Sequence, residues 1–349
     1  MESKKILVTG VAGFIGFHTV EKLVKLGFNV IGIDNNLRKF FFGADGSTHH
    51  IKKSLLKKNK KFKNYSTDIR NYQSLEKIFK RYKKKISLII HCAAQPSHDY
   101  GKNYPIIDFD VNAKGTLNLL ELTKRYCFDA KFIFMSTNKV YGDNPNRIEL
   151  QEKASRWEVK NKSQYFDGIK EEFSIDHCTH SFFGASKTYA DLIVQEYGKN
   201  VGLNTVCFRG GCITGPNHSG AKLHGFLSYL VKLCLKEKKY SIIGYKGKQV
   251  RDNLHSNDLV NCFWQYFKKP RKGEVYNIGG GRHSNCSIIE ALELVENIKK
   301  ISIKKEFLKT PRVGDHIWYI SNLDKFKKHY PNWHQKYDTK KIIDELIYS

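Results

Sequence analysis

Lys5-Ile6-Leu7-Val8-Thr9-Gly10-Val11-Ala12-Gly13-Phe14-Ile15-Gly16 is an apolar run that ends in three glycines spaced three apart and then opens into helical periodicity. Each glycine has a mechanical reason in a strand-turn-helix that binds a dinucleotide. Gly10 permits the tight turn, Gly13 lets the backbone approach a pyrophosphate, and Gly16 lets the helix pack closely on the sheet. Phe14 and Ile15 begin a helix whose N-terminus favours negative charge. A glycine triplet alone is a weak signal. It gains weight from Asp34, which closes the next strand about 20 residues on, with Asn35 beside it. A carboxylate there accepts hydrogen bonds from the adenosine ribose hydroxyls and repels a 2′-phosphate, which favours NAD over NADP; Arg38 nearby keeps NADP open as the alternative.

Outward from this motif the chain alternates strand and helix as a parallel sheet demands. Strands are expected over 4–9, 29–34, 64–69, 87–92, 131–135 and 204–209, and helices over 14–26, 74–83, 112–125 and 184–200. A basic stretch over 37–63 reads as mobile. The pattern is that of an α/β, Rossmann-type doubly wound sheet, whose ligands bind at the carboxyl ends of the strands. Those ends supply Asp68 and Ile69 for the adenine, and Ala93, Ala94 and Gln95 for the pyrophosphate and nicotinamide ribose. Beyond residue 210 the elements are shorter and richer in glycine, as in a smaller C-terminal α/β substrate-capping domain. The expected division is 1–210, with 142–180 as a loop over the site, and 211–349, with 251–262 returning to the first domain.

Composition narrows the function classes. The 349 residues carry a net charge of +26, a balance that ordinarily raises nucleic acid as a partner. Here lysine dominates and is spread along helix faces and loops, without the aromatic interleaving of a base-stacking surface, so nucleic acid is not expected. No apolar run approaches a membrane span. Strand-like sequence follows Met1-Glu2-Ser3-Lys4 at once, so a cytoplasmic protein is expected. Eight cysteines without a Cys-x-x-Cys pair read as small core residues rather than a metal site or a disulfide framework.

A second set of residues carries a family resemblance. Ser136-Thr137-Asn138-Lys139-Val140-Tyr141-Gly142-Asp143, His91-Cys92-Ala93-Ala94, Asn112 and Lys187 stand with the glycine motif, Asp34 and Asp68-Ile69. Together they resemble the extended short-chain dehydrogenase/reductases that act on nucleotide sugars, the NAD-dependent epimerase/dehydratase family. Within it the chain looks most like the CDP-paratose (CDP-tyvelose) 2-epimerases. That likeness rests on 136–143, His180-Ser181, Gly247-Lys248-Gln249-Val250-Arg251-Asp252 and Tyr276-Asn277-Ile278-Gly279-Gly280.

The resemblance implies bound NAD, a nucleotide-sugar substrate, and a hydride removed from a sugar carbon and returned to its opposite face through a transient ketone. It implies that Thr137 hydrogen-bonds the reacting oxygen and that Lys187 grips the nicotinamide ribose and lowers the pKa of a neighbouring acid/base. It places Asn112 as a support for the cofactor region, Asn138 and Lys139 against the substrate, Arg251 and Arg312 on the diphosphate, and Asp315 beside them. The family commonly pairs its helices into dimers, so a homodimer or homotetramer is expected. Dehydratases usually place an Asp-Glu pair directly after the threonine. The amide of Asn138 and the ammonium of Lys139 cannot supply that acid and base, so dehydration is disfavoured.

One residue departs from the family pattern. Phe183-Gly184-Ala185-Ser186-Lys187 has the Tyr-x-x-x-Lys spacing with phenylalanine in the tyrosine's place. Three readings remain open from sequence. Another group replaces the base, with His180 first on intrinsic pKa and Cys178, Tyr141, Tyr165 or Lys187 behind it. Alternatively the reaction differs, as in another nucleotide-sugar 4-epimerase or dehydrogenase. In the third reading the protein binds NAD and a nucleotide sugar without turnover.

Overall fold

The structure, a computed structural model, describes residues 4–43, 46–216, 218, 225–310 and 314–348. Seven strands form the main sheet: β1 (Lys5–Thr9), β2 (Asn29–Ile33), β3 (Phe62–Tyr65), β4 (Ile86–His91), β5 (Lys131–Thr137), β6 (Asn204–Gly210) and β7 (Glu274–Ile278). Their order is β7-β6-β5-β4-β1-β2-β3. β1 pairs in parallel with both β2 and β4, β2 with β3, and β4 with β5. The expected α/β doubly wound sheet is therefore present, and its direction of winding reverses between β1 and β4, where such sheets bind ligands. Near-continuous apolar strands suit a sheet covered on both faces. Leu7, Ile31, Ile89, Phe132 and Phe134 from the strands pack with Leu119, Leu120 and Val194 in one buried cluster.

Three helices position the candidate site: α1 (Phe14–Lys25), α2 (Gly115–Tyr126) and α3 (Phe182–Lys199). α1 follows Gly13, its N-cap, which makes no side-chain cap hydrogen bond to the first turn. α2 is preceded by one wide π-type turn over Asp110–Lys114, a local insertion that recurs at functional sites. The basic stretch 37–63 is more ordered than its composition suggests. It folds into helices Leu37–Phe42 and His49–Lys58, anchored by buried Leu55, and β3 starts at Phe62 rather than Asn64. Asn36, in a left-handed conformation, accepts the Thr48 N–H at 2.8 Å and so joins the residues that precede the two helices.

The chain divides into two compact units. The first comprises 1–137, 182–208 and 260–275, and the second 138–181, 209–259 and 276–349. This differs from a simple cut near 210. Segment 138–181 groups with the second unit, although 142–180 was expected as a loop of the first domain, and the piece that returns to the first unit is 260–275 where 251–262 was expected. The reason is packing: Val140, Tyr141, Val159 and Ile169 share a buried cluster with Val250, Trp318 and Ile320. Within the second unit, strand Val250–His255 pairs antiparallel with Asn285–Ser287 and parallel with Trp318–Tyr319 and Cys212–Thr214. A separate apolar cluster there joins Leu230, Ile242, Leu292 and Ile342.

Candidate active site

The turn after β1 is built around backbone contact. Gly10 has φ +71°, and a Cβ on it would stand 2.8 Å from the Ala93 nitrogen; a Cβ on Gly16 would stand 2.1 Å from the Gly10 carbonyl oxygen. Only glycine fits either position. The Asp34 carboxylate at the end of β2 accepts the Ala12 N–H at 3.0 Å and the Asn36 N–H at 2.8 Å, which aims it across the glycine turn. Asn35 donates to Asp68, and Arg70 pairs with the same carboxylate at 2.7 Å. Burial alone would raise the Asp68 carboxyl, but Arg70 outweighs it and holds the group below its ordinary range. Ile69 is buried, and its carbonyl accepts from Asn118 at 3.0 Å.

Behind Ala93 and Ala94 runs a buried chain of hydrogen bonds that sequence reasoning did not find. Thr116 Oγ1 donates its one proton to the Asn112 carbonyl at 2.6 Å, so it accepts from His91 Nε2 at 3.0 Å. His91 Nδ1 then accepts from Thr9 Oγ1 at 2.7 Å, and Thr9 in turn accepts the Ala93 N–H at 3.1 Å. Burial, with the nearby Lys187 charge, pushes His91 down to about 3, so it stays neutral and keeps this tautomer. Asn112 clamps both backbone groups of Gln95, accepting its N–H at 3.0 Å and donating to its carbonyl at 3.1 Å. The Gln95 side chain, expected along the cofactor, is instead turned inward. It donates to Asp108 and to the Ser97 carbonyl and accepts the Ser97 N–H, and the residue is fully buried. Gln95 therefore shapes the 95–98 turn. Asp108, also missed from sequence, receives Gln95, Asn112 and Ser186 and is almost fully buried.

Thr137 ends β5, half-buried. Lys187, on α3, donates from Nζ to the Met135 carbonyl at 2.8 Å and stands 4.0 Å from the centre of the Phe134 ring. Burial lowers Lys187 to about 8, against the partial compensation of Asp191, one helical turn on. Asp191 is held by Ser136 and Gln195. Phe183 lies one turn before Lys187 on α3 and is buried.

The other base candidates lie in the second unit. His180 Nε2 donates to the Val140 carbonyl at 2.8 Å, and Cys178 Sγ lies 3.6 Å from Nδ1. The acid/base role expected for His180 from sequence thus falls on a ring whose Nε2 is held by a backbone carbonyl. Burial raises the Cys178 thiol. Tyr141 donates to Asn277 at 2.8 Å and accepts from Arg209 at 3.0 Å, and burial pushes its phenol up to about 12. Tyr165 packs edge-on against Phe173.

In the same unit a basic cluster assembles from distant sequence. Arg251 pairs with Asp315 at 2.6 Å and also donates to the Val250 carbonyl, while Lys139 Nζ donates to the Gly314 carbonyl at 2.8 Å. Burial lowers Lys139 to about 8. The Asp315 carboxyl, which burial alone would raise, is held well below its ordinary range by Arg251 and Lys139. Asn138 is buried beside Lys139. Arg312 lies outside the described residues.

The family profile described as the NAD dependent epimerase/dehydratase family matches residues 6–279, which span the glycine turn, Thr137, Lys187 and Arg251. The chain belongs to the NAD-dependent epimerase/dehydratase family. Among its relatives are the CDP-paratose 2-epimerase of Salmonella typhi, 29% identical with 98% of both chains covered, and the UDP-glucuronate 4-epimerase of Thermodesulfobacterium geofontis, 31% identical over 86% of this chain and 83% of that one. The crystal structure of UDP-glucuronic acid 4-epimerase from Bacillus cereus, in complex with UDP-glucuronic acid and NAD, superposes with a TM-score of 0.78 at 26% identity and covers 98% of both chains.

NAD is the cofactor of this epimerase/dehydratase family, and the residues present fit it. The cradle at Gly10 and Gly16 is one that a single Cβ would fill, the first turn of α1 carries no side-chain cap, and the Asp34 carboxylate stands at the end of β2.

Proposed function

We propose that this family member is a nucleotide-sugar epimerase that inverts C2 of a CDP-hexose or CDP-deoxyhexose through a transient keto sugar. The observation that carries the reading is the pairing of Lys187 with β5: the ammonium is bound to the Met135 carbonyl, two residues before Thr137. A protein that only bound NAD and a nucleotide sugar has no need to bury a lysine against the strand that ends in Thr137. Asn138 and Lys139 after the threonine argue against dehydration, which needs an acid and a base at neutral pH. The CDP-sugar and the C2 position rest on the likeness to the CDP-paratose 2-epimerase across 98% of both chains. The UDP-glucuronate 4-epimerase likeness supports a second reading, inversion at C4 of a UDP-sugar.

When bound, NAD would supply the acceptor and donor of the hydride that leaves and rejoins the reacting carbon. The chain's own groups do the rest. Thr137 donates to the oxygen on that carbon, and Lys187 fixes the nicotinamide ribose and adds positive charge that favours loss of the hydroxyl proton. Arg251 and Lys139 supply the donors for the diphosphate and the sugar, with Asp315 holding the Arg251 fork in place. Asn112 and Asp108 hold the 95–98 turn.

Exposed apolar side chains support an assembly. Ile106 is 77% exposed, and Phe109, Tyr189 and Leu192 are exposed on or beside α3, with the Phe109 and Tyr189 rings 5.9 Å apart. A homodimer built on this face covers them, and a cytoplasmic location goes with the same reading.

The deciding experiment incubates the purified protein with CDP-, UDP-, GDP- and dTDP-hexoses in D2O and resolves the products. Epimerisation by hydride shuttling leaves the inverted carbon free of solvent deuterium. Deuterium at that carbon, or no inverted product from any of the sugars, defeats the proposal.

A further inference from the structure

The segment that follows Gln95 brings a histidine to Phe183. The rings of His98 and Phe183 meet edge-on, with centroids 4.9 Å apart and planes at 65°. This is close aromatic contact. It is also a fixed one. His98 opens the helix His98–Asn103, which is capped by Ser97, whose Oγ accepts the Tyr100 N–H at 3.2 Å. Ser97 itself is held by the Gln95 side chain, which is held by Asp108. One turn after His98, Gly101 presses this helix against the start of α3: a Cβ there would stand 3.0 Å from Asp108 and 3.3 Å from the Phe183 nitrogen. The buried network around Asn112, Asp108 and Gln95 therefore delivers an imidazole to the residue that holds the family's tyrosine position, one turn from Lys187.

We infer that His98 is the acid/base that stands in for the tyrosine absent at Phe183. The inference rests on the epimerase reading and deepens it. As the C–H bond of the reacting carbon gives its hydride to bound NAD, the His98 imidazole takes the proton of the hydroxyl on that carbon, leaving a ketone and an imidazolium. When the hydride returns to the opposite face, the imidazolium gives the proton back to the oxygen. Atoms and electrons balance over the cycle, and no further reactant is required. Histidine suits the task because its ordinary pKa lies near neutrality, whereas Phe183 has no proton to exchange. His98 also shares the first unit with Thr137, Lys187 and the cofactor turn.

The test compares wild type with His98→Ala, His98→Asn, Phe183→Tyr and the double variant His98→Ala/Phe183→Tyr, each on the same set of nucleotide sugars. His98→Ala and His98→Asn are expected to lose on the order of 10²-fold or more in kcat. The NAD released on denaturation stays at the wild-type level, which shows that the fold and the cofactor site survive. Free imidazole restores turnover to His98→Ala but not to Thr137→Ala, and Phe183→Tyr restores it in the His98→Ala background. In the NAD-loaded wild type, the imidazole carbon resonance of His98, assigned by its loss in His98→Asn, shifts when the nucleotide sugar is added. Turnover of both His98 variants within about twofold of wild type, or an unmoved His98 resonance in a protein that turns its sugar over, overturns the inference and leaves the epimerase reading standing. A wild-type protein that turns over none of the sugars overturns both.

Discussion

Lys187 reaches from α3 to the Met135 carbonyl, 2.8 Å away, and so ties its helix to the strand that ends in Thr137. Geometry between the two catalytic candidates is thereby set by one charge-assisted hydrogen bond rather than by helix packing alone. The ammonium is buried to secure it, and that has consequences for stability as well as for catalysis.

Lys187→Met is expected to abolish turnover and to stabilise the fold at pH 7. Burial lowers the folded-state pKa to about 8 from the ordinary 10.5. Between those values the unfolded chain holds more protons than the native one, so this lysine makes native stability rise with pH, and below pH 8 its full penalty is present. Methionine removes the penalty, a gain on the order of 1–3 kcal/mol at pH 7. The gain shrinks as pH rises from 8 towards 10.5. Urea unfolding midpoints of the two proteins at pH 7 and pH 10 check this; a pH-independent difference refutes it.

Thr137→Ala is expected to cut kcat by about 10²-fold or more, because the oxygen of the reacting carbon loses a donor in the transition state. NAD content and unfolding midpoint should stay near wild type. Turnover assays beside cofactor release on denaturation separate this outcome from simple loss of the fold.

Protein purified without added nucleotide is expected to release NAD rather than NADP when denatured, since the Asp34 carboxylate, fixed by Ala12 and Asn36, repels a 2′-phosphate. Asp34→Asn should weaken NAD retention and narrow the preference between the two cofactors. Chromatography of the released nucleotide reads both.

Leu192→Glu combined with Tyr189→Glu should yield a monomer. Both side chains are exposed on α3, and a charge placed at each opposes burial against a second copy. Sedimentation velocity at micromolar concentration distinguishes the outcomes; a wild-type protein that already sediments as a monomer contradicts the proposed dimer.

Arg251→Lys is expected to raise KM for the nucleotide sugar by about tenfold with a smaller change in kcat, because lysine keeps the charge but loses the two-pronged fork now braced by Asp315. Steady-state kinetics on the preferred sugar measure the split.

Much of the fold was legible in the sequence, because the rules involved are local. The apolar run 5–9 and the glycines at 10, 13 and 16 specify a strand, a turn and a helix from steric requirements that hold within a few residues. Asp34 follows at the spacing that one strand-helix-strand unit imposes. The proposed Thr137 and Lys187 pair was named through resemblance, since each sits in a short motif. What local pattern could not show were the two helices inside 37–63, whose weak apolar periodicity becomes a helix through the burial of Leu55.

The sequence by itself determined the α/β sheet, the cofactor turn and the absence of a tyrosine at position 183. Tertiary structure alone decided which groups meet: His91 with Thr9 and with Thr116, Asn112 with the Gln95 backbone, Arg251 with Asp315, and His98 with Phe183. These partners lie 17 to 85 residues apart, the shortest of them joining the π-type turn to the end of the fourth strand. A hydrogen bond or a ring contact over such a separation leaves no periodic trace in the chain, because it depends on where whole elements pack and on which rotamer burial permits.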